Sequence, residues 1–137
     1  YRGVEDPAAD DVALKPGAAG FEVGTTSPAP YAALAASIDL FEDLGLGTVE
    51  AHIRDLAGRL VDGVPADRLY SPATPESGLV TIRVDDPDST VDRLREEYGV
   101  VVRSLPDPAD AVRASLHVYN TPADVDRLLT GLRETGW

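Results

Sequence analysis

The sequence predicts an α/β fold of the α+β kind. Two N-terminal helices precede a small, mostly antiparallel sheet of three to four strands, with helices packed on one face. Three observations carry this. Tyr31, Leu34, Ile38 and Phe41, then Val49, Ile53, Leu56 and Leu60, recur at helical spacing. Leu79–Val84 and Val112–Val118 are rich in β-formers, and the second alternates strictly between apolar and other residues. Val100–Arg103 and Val112–Val118 are joined by too short a loop for a parallel crossover, so they are expected to pair antiparallel.

Taken in order, Tyr1–Gly20 carries Pro7, Pro16, Gly17 and Gly20 among acids and reads as loop. The spacing predicts a helix from about Pro30 to Leu44, stopped by Gly45. A second helix is expected from Thr48, acting as its cap, to Asp62, with Gly63 at its end. Glu50–Arg54 and Asp55–Arg59 are favourable i, i+4 pairs on that helix, and His52 falls off its apolar stripe, on the surface. A short strand is expected near Arg68–Ser71, then the strand Leu79–Val84. Asp88 or Ser89 is expected to cap a helix with Val91, Leu94 and Tyr98 inward, stopped by Gly99. Val100–Arg103 is the next strand and Ser104–Ala111 a loop containing prolines. Val112–Val118 follows. Thr121 caps the last helix with Pro122 in its first turn and Asp124 at the third position, and Val125, Leu128, Leu129 and Leu132 face the core.

At 137 residues the chain can bury a sizeable core, roughly two-thirds of its unfolded surface. No cysteine is present, which removes disulfides, thiolate metal sites and cysteine nucleophiles. No apolar run reaches membrane-spanning length and nothing resembles a signal peptide, so a cytoplasmic location is expected. Twenty-four acids stand against twelve bases, a net charge of −12, which disfavours nucleic acid and anionic membrane as partners. Lys15 is the single lysine among the bases. Acid excess along the whole chain suggests adaptation to high salt. The chain starts at Tyr1 and lacks methionine, which suggests a piece of something longer.

Two stretches hold candidate chemistry. In Val112–Thr121, VRASLHVYNT, the alternation turns Val112, Ala114, Leu116 and Val118 to the core and Arg113, Ser115, His117 and Tyr119 to the opposite face. A guanidinium fixed on a strand is suited to bidentate grip on a carboxylate or phosphate, although spacing alone favours an ordinary strand arginine in solvent or in an ion pair. In Phe21–Pro30, FEVGTTSPAP, Gly24-Thr25-Thr26-Ser27 can present backbone N–H groups and hydroxyls to an anion, or simply cap the next helix. Lys15 is the only side chain able to form a Schiff base, and its Pro-Gly surroundings are those of a surface loop.

Phe21-Glu22-Val23-Gly24-Thr25, leading into an alanine-rich helix, resembles the FExGT segment of class V aminotransferases, pyridoxal-phosphate enzymes of fold type I. That superfamily also holds cysteine desulfurase-like and isopenicillin-N-epimerase-like proteins. The closing Arg113–Thr121 stretch with Asp124-Val125-Asp126-Arg127-Leu128 resembles the family's C-terminal signature, so the likeness runs from about residue 20 to the end. It implies that residues 28–137 are the family's C-terminal small domain and residues 1–27 the tail of a large domain not in this sequence. It implies Arg113 as the ligand of the substrate α-carboxylate, with Arg103 at the start of the active-site loop as a further substrate-binding residue. It implies that Gly24 and Thr25 serve the cofactor phosphate, Thr25 across a homodimer interface, with Glu22 shaping that loop. Asn120 is expected to fix the strand-to-helix turn. The catalytic residues, above all the Schiff-base lysine, are implied to lie in the large domain, and this segment alone to be inactive.

Cysteine desulfurases carry a nucleophilic cysteine in the loop after the Arg103 position. Here that loop reads Ser104-Leu105-Pro106, without one. The resemblance therefore implies transamination, epimerisation or non-cysteine lyase chemistry on an amino acid, with pyridoxal 5'-phosphate as cofactor. The alternative is a free-standing α/β module that binds a small ligand or a protein without cofactor.

Overall fold

The structure, a computed structural model, describes residues 4–6, 8, 11, 13–22, 24, 27–106 and 108–137. It divides into two compact units, Tyr1–Leu40 and Phe41–Trp137. In the first, Val4 and Leu14 form an isolated antiparallel bridge, with the Glu5 N–H donating to the Ala13 carbonyl at 2.9 Å. A 3-10 turn follows at Gly17–Phe21. Helix α1 spans Ala29–Leu44, close to the expected Pro30–Leu44, and crosses from one unit into the other. It buries none of its residues: Tyr31, Leu34 and Ile38 are 63%, 57% and 48% exposed.

The second unit is built as the apolar patterns predict. Helix α2 (Leu46–Gly63) turns off α1 at Gly45, whose φ of +78° lies in the region glycine tolerates best. Gly45 sits at the cap position and Thr48 lies inside the helix, so the expected cap at Thr48 is corrected. The break needs positive φ, which only Gly45 supplies cheaply, and that moves the helix start upstream. Strand β1 spans Leu79–Arg83. Helix α3 (Pro87–Tyr98) is capped by Asp86, whose side chain accepts the Ser89 N–H at 3.1 Å. The expected caps, Asp88 and Ser89, fall two and three residues too late because Pro87, lacking an N–H, suits the first helical position. Gly99 closes this helix in the left-handed conformation.

Strand β2 is reduced to Arg103–Ser104, and β3 to Ala111–Ser115. Val100–Val102 were expected to pair and do not. The Val100 N–H instead bonds the Leu94 carbonyl at 2.9 Å, part of the end of α3. Past Ser115 the pairing is limited to the Leu116 N–H on the Gly78 carbonyl, at 2.7 Å. Helix α4 (Pro122–Thr135) opens with the anticipated capping box between Thr121 and Asp124.

The sheet order is β1-β3-β2, all antiparallel. The strand expected at Arg68–Ser71 survives as one bridge, Leu69 to Ile82, at the outer edge of β1. Val80, Ile82, Val112 and Ala114 form one face of the sheet and pack with Leu56 and Leu60 of α2, Leu94 of α3, and Leu128 and Leu132 of α4. Burial of these side chains drives the assembly, at roughly 1.5–3 kcal/mol for each large aliphatic group. Arg59 ties α4 to α2 by a two-pronged bond to Asp126, both contacts 2.8 Å, instead of to Asp55 on its own helix. Glu50 and Arg54 do pair along α2.

Candidate functional site

Period-2 alternation on β3 sends Val112 and Ala114 into the core and leaves Arg113 on the other face, half-buried, with Ser115 exposed beyond it. β3 is the central strand, so Arg113 has a neighbour on each side. Thr81 of β1 stands opposite it in register, and so does Arg103 of β2. Directly opposed residues of an antiparallel pair share a face, with Cα atoms about 4.5–5.5 Å apart. The two predicted substrate-binding arginines are thus brought together on the sheet face turned away from the helices.

Like charges directly opposed across a ladder are unfavourable. Nothing among the described residues relieves them, since the five ion pairs there use Arg54, Arg59, Arg68, Arg93 and Arg127. The Arg113 Nε is buried and has no hydrogen-bond partner, the one buried side-chain polar atom of the described residues so left. A buried unmet donor on a charged group costs roughly 1–3 kcal/mol or more. The arrangement answers chemically to an anion: a carboxylate would accept from Nε and one Nη in the planar fork of Arg113.

The turn that ends β3 is tightly held. The Asn120 side chain accepts the His117 N–H at 2.9 Å, as expected of a residue that fixes this corner. His52, read from sequence as an unattached surface residue, is half-buried, and its Nε2 donates to the Asn120 carbonyl at 2.9 Å. The partner is a backbone atom far along the chain, so no sequence pattern signalled it. His117 stacks on Tyr119 with ring centroids 4.9 Å apart, and Phe41 meets it edge-on at 6.1 Å. Alternation had placed His117 and Tyr119 on this face without indicating that they touch. Thr121 and Asp124 close the corner. The Thr121 backbone N–H and hydroxyl, both on its carboxylate, hold Asp124 below the usual aspartate range.

Of the other expected site residues, Thr25 lies outside the described residues. Gly24 is exposed, with open space where a Cβ would stand. Glu22 is exposed and has its backbone N–H on the Ala19 carbonyl. Lys15 is exposed on a loop, with its carbonyl against Gly20. No cluster of three or more potential metal ligands occurs among the described residues, and no helix there is long and apolar enough to cross a membrane.

Comparison with known proteins bears on the family and the fold. Residues 3–128 match the family described as Aminotransferase class-V. A probable cysteine desulfurase of Halalkalibacterium halodurans is 33% identical over 129 residues, covering 84% of this chain and 32% of that protein. The apo structure of a cysteine desulfurase from Thermococcus onnurineus NA1 superposes with a TM-score of 0.70 at 28% identity, over 98% of this chain and 37% of that one. A cystine C–S lyase solved with its product, cysteine persulfide, gives a TM-score of 0.72 at 25% identity, over 96% of this chain and 36% of the lyase. The chain spans about a third of the length of the curated relatives it matches.

Proposed function

The chain belongs to the class V aminotransferase family, which includes cysteine desulfurases and works with pyridoxal phosphate, and from that premise we propose that it supplies the substrate-carboxylate site of a larger enzyme acting on an amino acid. The observation that carries the proposal is the buried Nε of Arg113, without a partner among the described residues, set in register with Arg103, which forms no ion pair among them.

On this reading residues 28–137 are the small domain and residues 1–27 the tail of a large one. Arg113 takes the α-carboxylate in a bidentate grip, Arg103 stands beside it as a second substrate-binding cation, and the His52–Asn120–His117 corner keeps their strand in place. A fixed carboxylate leaves only rotation about one axis, so gripping it decides which bond at the α-carbon faces the catalytic base. The described residues fit this end of a substrate and do not by themselves cradle pyridoxal phosphate. Lys15, the only lysine, is exposed. Gly24 and Thr25 are the residues we assign to the cofactor phosphate, Thr25 toward that of the partner subunit in a homodimer. When bound, the cofactor supplies an electron sink for the bond being broken.

The cysteine-free loop after Arg103 favours transamination, epimerisation or lyase chemistry without a protein persulfide. A cytoplasmic, salt-adapted homodimer that binds no nucleic acid completes the proposal, the acid excess supporting the salt adaptation and the exclusion of nucleic acid and the family likeness the homodimer. The 137 residues alone are expected to be inactive.

The test is steady-state kinetics on the protein encoded by the complete reading frame. Arg113→Met should raise KM for the amino acid by about thirtyfold or more, since removing one partner of a buried charge pair costs roughly 2–5 kcal/mol. Unchanged KM and kcat would overturn the assignment. Turnover by the isolated 137 residues would overturn the large-domain lysine.

A further inference from the structure

The arginine pair says more than that a carboxylate binds. Arg103 and Arg113 face the same side at directly opposed positions, in a chain whose acids outnumber its bases two to one. Even so, no acid among the described residues forms an ion pair with either. Asp86, Asp88 and Asp110 line the groove beside Arg103, and none of them forms an ion pair with it. A single carboxylate cancels one positive charge and leaves the other opposed to nothing. Two linked acid groups cancel both, at a spacing set by neighbouring strands. Arg103 is exposed, and on the far side of Arg113 the opposed residue is the short Thr81.

We propose that the substrate is a dicarboxylic amino acid, with Arg113 holding the α-carboxylate and Arg103 the side-chain carboxylate. This rests on the assignment of Arg113 to the substrate carboxylate and adds the substrate class. Arg103 is then the residue that separates acidic from neutral substrates. A hydrogen-bonded charge contact of this kind is worth about tenfold or more in affinity.

The test is an NMR titration of the 137-residue chain, following the Arg113 Nε–Hε resonance, with succinate and with acetate at constant ionic strength. The expected result is a shift of that resonance by both anions and a dissociation constant at least tenfold lower for succinate. Arg103→Met, with its fold checked by the backbone amide spectrum, should remove the succinate advantage and keep the acetate response. Equal binding of the two anions by the unmodified chain, or an advantage that survives Arg103→Met, overturns the dicarboxylate proposal while leaving Arg113 as a carboxylate site. An Arg113 resonance that no carboxylate moves overturns both.

Discussion

Gly78 sits just before β1, and its carbonyl accepts the Leu116 N–H at 2.7 Å, the last rung between β1 and the strand that carries Arg113. A Cβ at this position would stand 2.3 Å from the Leu116 carbonyl oxygen and 2.8 Å from the Ile53 Cγ2. Ordinary contacts of these kinds lie near about 3.3–4.0 Å, so Gly78→Ala forces a movement of roughly 1 Å on a backbone atom that already holds the ladder. Overpacking on this scale costs about 1–3 kcal/mol. With an unfolding entropy of about 2.1 cal/mol/K per residue, that lowers the Tm of a chain this size by roughly 3–10 °C. Gly58→Ala is the matched control: it lies inside α2 with nothing within 4 Å of its Cβ position, so helix propensity alone acts. It should gain up to about 1 kcal/mol, raising Tm by roughly 3 °C. Thermal melts followed by circular dichroism measure both. A Gly78→Ala melt within 1 °C (about 0.3 kcal/mol) of the parent would refute the packing argument.

Other consequences follow from the core, the charges and α1. Leu94→Ala removes a fully buried side chain where α3, α4 and the sheet meet, and should cost about 2–5 kcal/mol in urea unfolding. Asp124 is held below the usual aspartate range by the Thr121 backbone N–H and hydroxyl, and Asp126 by its bond to Arg59. Depressed folded values mean that the stability they add is fully present above the unfolded aspartate pKa, about 3.9, and is lost as pH falls through the lower folded values. The urea midpoint should therefore drop on that acid limb, and Asp124→Asn should flatten it. Because a net charge of −12 repels itself, raising salt from about 0.05 to 1 M should raise Tm, and a Tm indifferent to salt would contradict this. Sedimentation should show the isolated chain self-associating through the exposed Leu34 and Ile38 of α1, and Leu34→Glu with Ile38→Lys should reduce it.

Helix positions, sheet direction and the inward faces of α2, α3, α4 and the sheet were legible because each follows from periodicity: Val80, Ile82, Val112 and Leu132 are buried where the pattern put them, whereas the apolar stripe of α1 stays exposed. Boundaries were less so. Thr48 and Ser89 look like caps by residue type, but the choice between neighbouring cap positions depends on where the chain can turn, which Gly45 and Pro87 decide. Val100–Val102 carry strand propensity, yet their backbone is committed to ending α3. The Arg59–Asp126 bond displaced the local pair because a helix–helix contact brought a second carboxylate into better geometry. At the site, alternation placed Arg113 on the open face, and the short loop before it predicted an antiparallel neighbour. What sequence left unspecified was register, which puts Arg103 opposite Arg113 instead of two residues away. His52 escaped notice because its bond is to a backbone carbonyl, which leaves no residue-type signature.

The most direct measurement is a crystal structure of the complete protein with an amino-acid ligand bound. The α-carboxylate is expected in the fork of Arg113, with one oxygen about 2.7–2.9 Å from Nε and the other on Nη. A well-ordered ligand whose carboxylate is held elsewhere, with the Arg113 Nε still unpartnered, would contradict it.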